Sequence, residues 1–140
     1  MKVVNISELK IISAPIREKL IDFGITSLNE LTTFHTSPKK CFELSSDSGI
    51  PIKELRWIIN IALFSQIPGV GVNHSLMLIK IGIDSVEKLA RCEADRVLFD
   101  MALYNESQAV LPILPSLLVI NRWIKDAKAI LEEQELTVSE

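Results

Sequence analysis

Ile67-Pro68-Gly69-Val70-Gly71, running into Val72-Asn73-His74-Ser75-Leu76-Met77-Leu78-Ile79-Lys80-Ile81-Gly82, is the stretch on which the reading of the fold turns. Two glycines around one valine suit a tight turn whose backbone angles a residue with a Cβ avoids. Apolar side chains at Leu76, Met77, Ile79, Ile81 and Ile83 then recur with the spacing of a short helix. Gly82 is placed to stop that helix in a left-handed conformation. Asp84 or Ser85 caps a second short helix, with Glu87 near its third position. Helix, hairpin, helix is the unit these residues predict.

The same unit occurs earlier in the chain. A shift of 58 positions lays Leu20-Ile21-Asp22-Phe23-Gly24-Ile25-Thr26-Ser27 over Leu78-Ile79-Lys80-Ile81-Gly82-Ile83-Asp84-Ser85, and Leu31 over Leu89. Leu9 and Ile12 fall on Ile67 and Val70. The first hairpin reads Ile11-Ile12-Ser13-Ala14-Pro15, so Ser13 stands where the second copy has Gly71, and this hairpin is degenerate.

Between the copies, Ser37-Pro38 marks a capped helix start that runs through Cys41, Phe42 and Leu44 to a stop near Gly49. Pro51 opens a helix over 52–65 whose apolar residues occupy nearly every face, which predicts burial on all sides. After the second copy, a short helix from Glu93-Ala94-Asp95 to Leu103 is expected, then a polar turn at Tyr104-Asn105-Glu106-Ser107. Pro112-Ile113-Leu114-Pro115 reads as an extended link, and 116–134 as a closing helix. Leu117, Ile120, Ile124, Ala127 and Leu131 form its packing seam. Arg122-Trp123-Ile124 echoes Arg56-Trp57-Ile58, which carries the repeat to the end. The fold class is therefore all-α, two helix-hairpin-helix repeats in one domain, 1–140. Repeat 1 covers about 6–65, repeat 2 about 66–134, and 135–140 is a frayed tail.

Composition bounds what such a chain does. Of 140 residues, 48% are apolar, enough for a core built mainly from Ile, Leu and Val. A net charge of −3 carries no general electrostatic attraction for nucleic acid or anionic lipid. Cys41 and Cys92 are isolated, which fits reduced thiols in a cytoplasmic protein rather than a disulfide framework or zinc site. Met1-Lys2-Val3-Val4-Asn5 turns polar too soon for a signal peptide. The most apolar run, 109–120, is too short to span a bilayer, so no membrane role is expected.

Phe23-Gly24-Ile25-Thr26-Ser27, Gly49-Ile50 followed by Arg56-Trp57-Ile58, and Leu63-Phe64 leading into Ile67-Pro68-Gly69-Val70-Gly71 together resemble a tandem helix-hairpin-helix family, domain of unknown function 4332. Gly82-Ile83-Asp84-Ser85-Val86 and Trp123-Ile124 with Ala127 continue the resemblance, which covers about Ile6 to Leu131. More distantly, the hairpins are similar to those of DNA-repair proteins and of the C-terminal domain of the RNA polymerase alpha subunit. Ser13-Ala14-Pro15 departs from the glycines family members carry there, which counts against any role needing two working hairpins.

Two candidate sites emerge. The first is the turn Gly69-Val70-Gly71 with Asn73, His74 and Ser75, where a helix start offers backbone N–H groups to a nucleic-acid phosphate. None of these side chains brings a permanent charge, and the alternative is that the glycines serve only close helix packing. A basic rim from Lys10, Arg17, Lys80 or Lys88 would favour DNA. The second site is the apolar run around Ile113, Leu114, Leu117 and Leu118, a protein-docking or self-association surface if exposed and a core segment if buried.

Elsewhere, bland readings prevail. Lys10, Arg17 and Lys19 read as solvated charge, Trp57 and Trp123 as matching core residues, and Lys125, Asp126 and Lys128 with Glu132 and Glu133 as a solvated, i,i+4-paired face. His35 and His74 lack ligand-spaced neighbours, so no metal is expected. No nucleophile–base pair, phosphate loop or dinucleotide motif occurs, hence no enzyme activity, cofactor or small-molecule substrate is expected. The expected function is a non-catalytic protein–protein adaptor or scaffold. The alternative is weak, sequence-independent DNA binding through the second hairpin.

Overall fold

A computed structural model describes residues 4–138. Among them lie eight α-helices, two short 3-10 turns and no strand, so the fold is all-α. One isolated antiparallel bridge joins Asn5 to Ser27. The chain divides into two compact units, Met1–Gln66 and Ile67–Glu140.

In the first unit a 3-10 turn, Ile6–Glu8, leads into a tight turn in which the Ile12 N–H donates to Leu9 O at 3.2 Å. Helix α1 (Ala14–Asp22) follows, with Pro15 in its first turn where a missing N–H costs nothing. It ends at Gly24, φ +83°, and the Ile25 N–H returns to Leu20 O at 2.9 Å while the Gly24 N–H meets Ile21 O at 2.9 Å. Those two bonds are the Schellman closure, which satisfies carbonyls the helix end leaves open. Helix α2 (Leu28–Leu31) continues into a 3-10 turn, Thr32–Thr36. Helix α3 (Pro38–Ser48) is capped by Ser37 Oγ, which accepts the Lys40 N–H at 3.3 Å, and stops at Gly49, φ +78°. Both signals are local, and both fall where the sequence places them.

Helix α4 (Ile52–Phe64) packs on α2, α3 and the 3-10 turn. It is enclosed only in its second half. Lys53, Glu54 and Arg56 face solvent and Trp57 is half-buried, whereas Ile58, Ile59 and the run Ile61–Phe64 are buried. The expectation of burial on all sides therefore fails for the first turns, because charged residues there keep one face in water.

The second unit repeats this plan. Helix α5 (Val72–Lys80) and helix α6 (Val86–Ala90) start 58 positions after α1 and α2. Gly82, φ +98°, closes α5 with the same bonds, Ile83 N–H to Leu78 O at 2.8 Å and Gly82 N–H to Ile79 O at 3.1 Å. Ser85 Oγ caps α6 by accepting the Lys88 N–H at 3.2 Å. Helix α7 (Ala94–Gln108) is longer than expected and absorbs Tyr104 to Ser107, which are helical rather than a turn. Helix α8 (Leu117–Val138) likewise runs beyond 134, so the part of the expected frayed tail up to Val138 is helical, while 139–140 lie outside the described residues.

The turns before α1 and before α5 differ in an instructive way. In the second, the Val70 N–H donates to Ile67 O at 3.0 Å, with Pro68 and Gly69 between them and Gly69 at φ +87°. Pro then Gly at the central positions is the signature of a type II turn. In the first hairpin the bond is kept, but Ile11 stands at the Gly69 position without a left-handed angle. Gly71, by contrast, is extended, φ −90° and ψ −173°, and Ser13 at the matching position is also extended. The expectation that both glycines take angles closed to other residues holds for Gly69 and fails for Gly71. The substitution that sets the hairpins apart is Ile11, not Ser13.

A paired substitution follows. Gly69→Ala is expected to destabilise by about 1–3 kcal/mol, since its φ is hostile to a Cβ. Gly71→Ala is expected to stay within about 1 kcal/mol of the parent, its Cβ meeting only His74 Nδ1 at 3.8 Å. Urea unfolding followed by circular dichroism measures both, and equal losses would contradict this assignment.

Candidate interaction surface

Helix α8 builds the surface because its two faces have opposite tasks. Ile120, Trp123, Ile124 and Ala127 recur at helical spacing and are buried against α6 and α7. Of the predicted seam, Ile120, Ile124 and Ala127 are core, while Leu131 is half-buried and Leu117 is 44% exposed. Trp123, 1% exposed, takes up the space at the middle.

The link into α8 is held by a side chain that reads as an ordinary polar residue in the sequence. Asn105 Nδ2 donates to Leu111 O at 2.9 Å, and the Leu111 N–H donates to Asn105 Oδ1 at 2.8 Å. The amide thus satisfies both backbone groups of a residue that is itself buried. Ala109, φ +47°, ends α7, and Pro112 and Pro115 keep the following residues out of a helix. Beyond this clamp Ile113 is 81% exposed and Leu118 is 71% exposed, with Leu114 half-buried. Three of the four expected docking residues, Ile113, Leu117 and Leu118, therefore face solvent.

Two shallow grooves flank them. One, about 490 Å³, lies between the α6–α7 link and α8, with Ala94, Leu117 and Ile124 beside Glu93, Asp95 and Lys128. Its neighbour, about 480 Å³, is lined by Leu118, Asn121, Arg122, Lys125 and Lys128. Arg122, Lys125 and Lys128 are exposed and make no ion pair among the described residues. The i,i+4 pairing expected around Lys125 and Lys128 is replaced by open charge. Pairs of that spacing form elsewhere, Lys88–Asp84 at 2.9 Å and Arg96–Asp100 at 3.2 Å.

The hairpin residues are engaged in holding the fold. Val70 is buried. The buried Ser75 hydroxyl donates to Gly71 O at 2.9 Å, and the Gly71 N–H donates to His74 Nδ1 at 3.3 Å. That bond needs an unprotonated Nδ1, and burial lowers the His74 pKa, which favours the neutral ring at neutral pH. The imidazole meets the Trp123 indole edge-on, centroids 5.3 Å apart at 69°. A Cβ on Gly69 would stand 3.5 Å from Trp123 Nε1, a buried N–H without a hydrogen-bond partner. That is ordinary contact distance, so the positive φ rather than a lack of space is what calls for glycine here. Asn73 alone of the three polar candidates is exposed.

Of the rim cations expected from the sequence, two lie in this second unit. Lys80 sits at the far end of α5, about 12 Å from its start at 1.5 Å per residue. Lys88 is bound to Asp84. Within the first unit, Arg17 Nη1 donates to Leu9 O at 2.9 Å and Ile12 O at 2.8 Å, so this side chain ties down its own hairpin instead of standing free as solvated charge.

Cys41 and Cys92 are free thiols. Burial raises the Cys41 pKa against the opposing pull of Arg56. Burial and then Asp100 raise that of Cys92, with Arg91 opposing. Raised values keep both as thiols, which are poor nucleophiles. Among the described residues no group of three His, Cys, Asp or Glu side chains is arranged to hold a metal ion. No described helix is long and apolar enough to cross a membrane.

Comparison with known proteins finds one family model, Domain of unknown function (DUF4332), matching residues 10–130. No curated protein and no solved structure matches the chain.

Proposed function

The chain belongs to the DUF4332 family, and from the geometry of its second unit we propose that it is a non-catalytic helix-hairpin-helix module that docks a protein partner through Ile113, Leu117 and Leu118. The observation that carries this reading is their exposure within one six-residue segment. Scattered surface leucines are ordinary, but a cluster beside grooves and unpaired cations is a recognition feature. Covering each such side chain is worth about 1.5–3 kcal/mol, a gain that offsets part of the cost of association. Free thiols suit the cytoplasm, where we place the protein.

DNA binding through the second hairpin is the less favoured reading. His74 and Ser75 are spent on the turn itself, and within the second unit Lys80 lies at the far end of α5 while Lys88 pairs with Asp84.

Photo-crosslinking in cells tests the proposal. A crosslinking residue at position 113 or 118 is expected to capture discrete proteins, with one at exposed position 106 as the control. Adducts no stronger than this control would refute docking at this surface. Anisotropy of labelled DNA provides the other arm, and the expected result is no binding even at low salt. Salt-weakened binding that vanishes in a folded Gly69→Ala variant would shift the assignment to nucleic acid.

A further inference from the structure

The outward face of α8 carries its own partner's pattern. Leu118, Arg122, Lys125, Ala129 and Glu132 succeed one another at steps of four, three, four and three, which is the spacing of one continuous helix seam. All five are exposed, while Ile120, Trp123, Ile124 and Ala127 occupy the core side. Charge along this seam is ordered, with cations in the first half and the acid in the second.

The geometry points to an antiparallel pairing of this face with the same face of a second copy of the chain, a two-fold axis crossing the outward face midway between Lys125 and Ala129. In that register Arg122 of one copy falls opposite Glu132 of the other, and by symmetry Glu132 falls opposite Arg122. Lys125 falls opposite Ala129, whose small side chain lets the helices approach. Leu118, continuous with exposed Ile113 and Leu117, supplies apolar cover at each end. A parallel pairing would set Arg122 on Arg122 and is excluded by like-charge repulsion. An acidic peptide would match Arg122 and Lys125 but would confront Glu132, so a second copy fits the whole seam better. Helix α8 is roughly 33 Å long at 1.5 Å per residue, and one helix pair of that length sits at the small end of specific interfaces. The dimer is accordingly weak and reversible.

This inference rests on the docking reading above and names its occupant. Sedimentation equilibrium of the full chain over a wide concentration range, at low and high salt, provides the test. The expected result is a monomer–dimer equilibrium that weakens as salt rises. Arg122→Glu alone and Glu132→Arg alone are each expected to weaken dimerisation about tenfold or more, because each places like charges opposite one another twice. An equimolar mixture of the two variants restores both attractive pairs and is expected to form a heterodimer as tight as the parent. The double variant R122E/E132R is expected to regain its homodimer for the same reason. A chain that stays monomeric throughout, or single variants that dimerise like the parent, would overturn the proposal. Failure of the mixture and of the double variant to recover would do the same. If crosslinks from position 118 reach other proteins while the chain is monomeric, docking stands and self-pairing falls. If neither appears, both fall.

Discussion

Trp123→Ala is expected to cost about 3–5 kcal/mol, because it empties the largest side chain of the core around α8. The indole is 1% exposed, lies beneath Gly69 and supports the His74 ring edge-on. Removing it takes away the surface on which both the hairpin and the helix rest. Circular dichroism during urea unfolding is the measurement, with Trp57 left as a fluorescence probe of the first unit. The midpoint of the helical signal is expected to fall sharply. Trp123→Phe sharpens the interpretation. It loses apolar area but also removes a buried N–H that has no partner, and such a group costs about 1–3 kcal/mol to bury. The two effects oppose, so the Phe variant is expected within about 1.5 kcal/mol of the parent. An Ala variant as stable as the parent would show that the space collapses freely and that Trp123 does not organise the unit.

Asn105→Ala is expected to destabilise by about 1–3 kcal/mol, since two hydrogen bonds disappear and both backbone groups of Leu111 lose their partners. Hydrogen exchange at the Leu111 amide gives the local readout and is expected to accelerate. Asn105→Asp tests the direction of each bond. A carboxylate still accepts the Leu111 N–H but sets an acceptor oxygen against the Leu111 carbonyl, so partial amide protection without recovery of stability is expected. Unchanged exchange at Leu111 in Asn105→Ala would show that proline geometry alone sets this link.

The helix ends were readable because their chemistry is local. Gly24, Gly49 and Gly82 accept positive φ, and at Gly24 and Gly82 the closing bonds come from within five residues. Ser37 and Ser85 accept an N–H three residues ahead. A pattern that completes itself inside one turn needs no knowledge of the rest of the chain, which is why the repeat at 58 positions reappears in the starts of α5 and α6. Helix lengths were less readable. Polar residues at 104–107 suit the exposed face of a helix as well as they suit a turn, and only the neighbouring core decides between them.

The candidate surface divides in the same way. The exposed Ile113 and Leu118 stood out as an apolar excess, but burial and docking were both open while their neighbours were unknown. At the turn, residue types suggested phosphate ligands, whereas His74 accepts the Gly71 N–H and rests edge-on against Trp123, and Ser75 donates to the Gly71 carbonyl. Arg17 is likewise drawn back onto its own turn.

Residue order by itself determined the all-α class, the repeat, the capped starts and the glycine stops, because backbone hydrogen bonds closed within one turn depend on nearest neighbours. Tertiary structure alone decided that Asn105 clamps Leu111, that the His74 ring rests on Trp123, and that Ile113 and Leu118 meet solvent. Each of those outcomes depends on which side chains, near or far in the sequence, arrive to fill a space or satisfy a polar group.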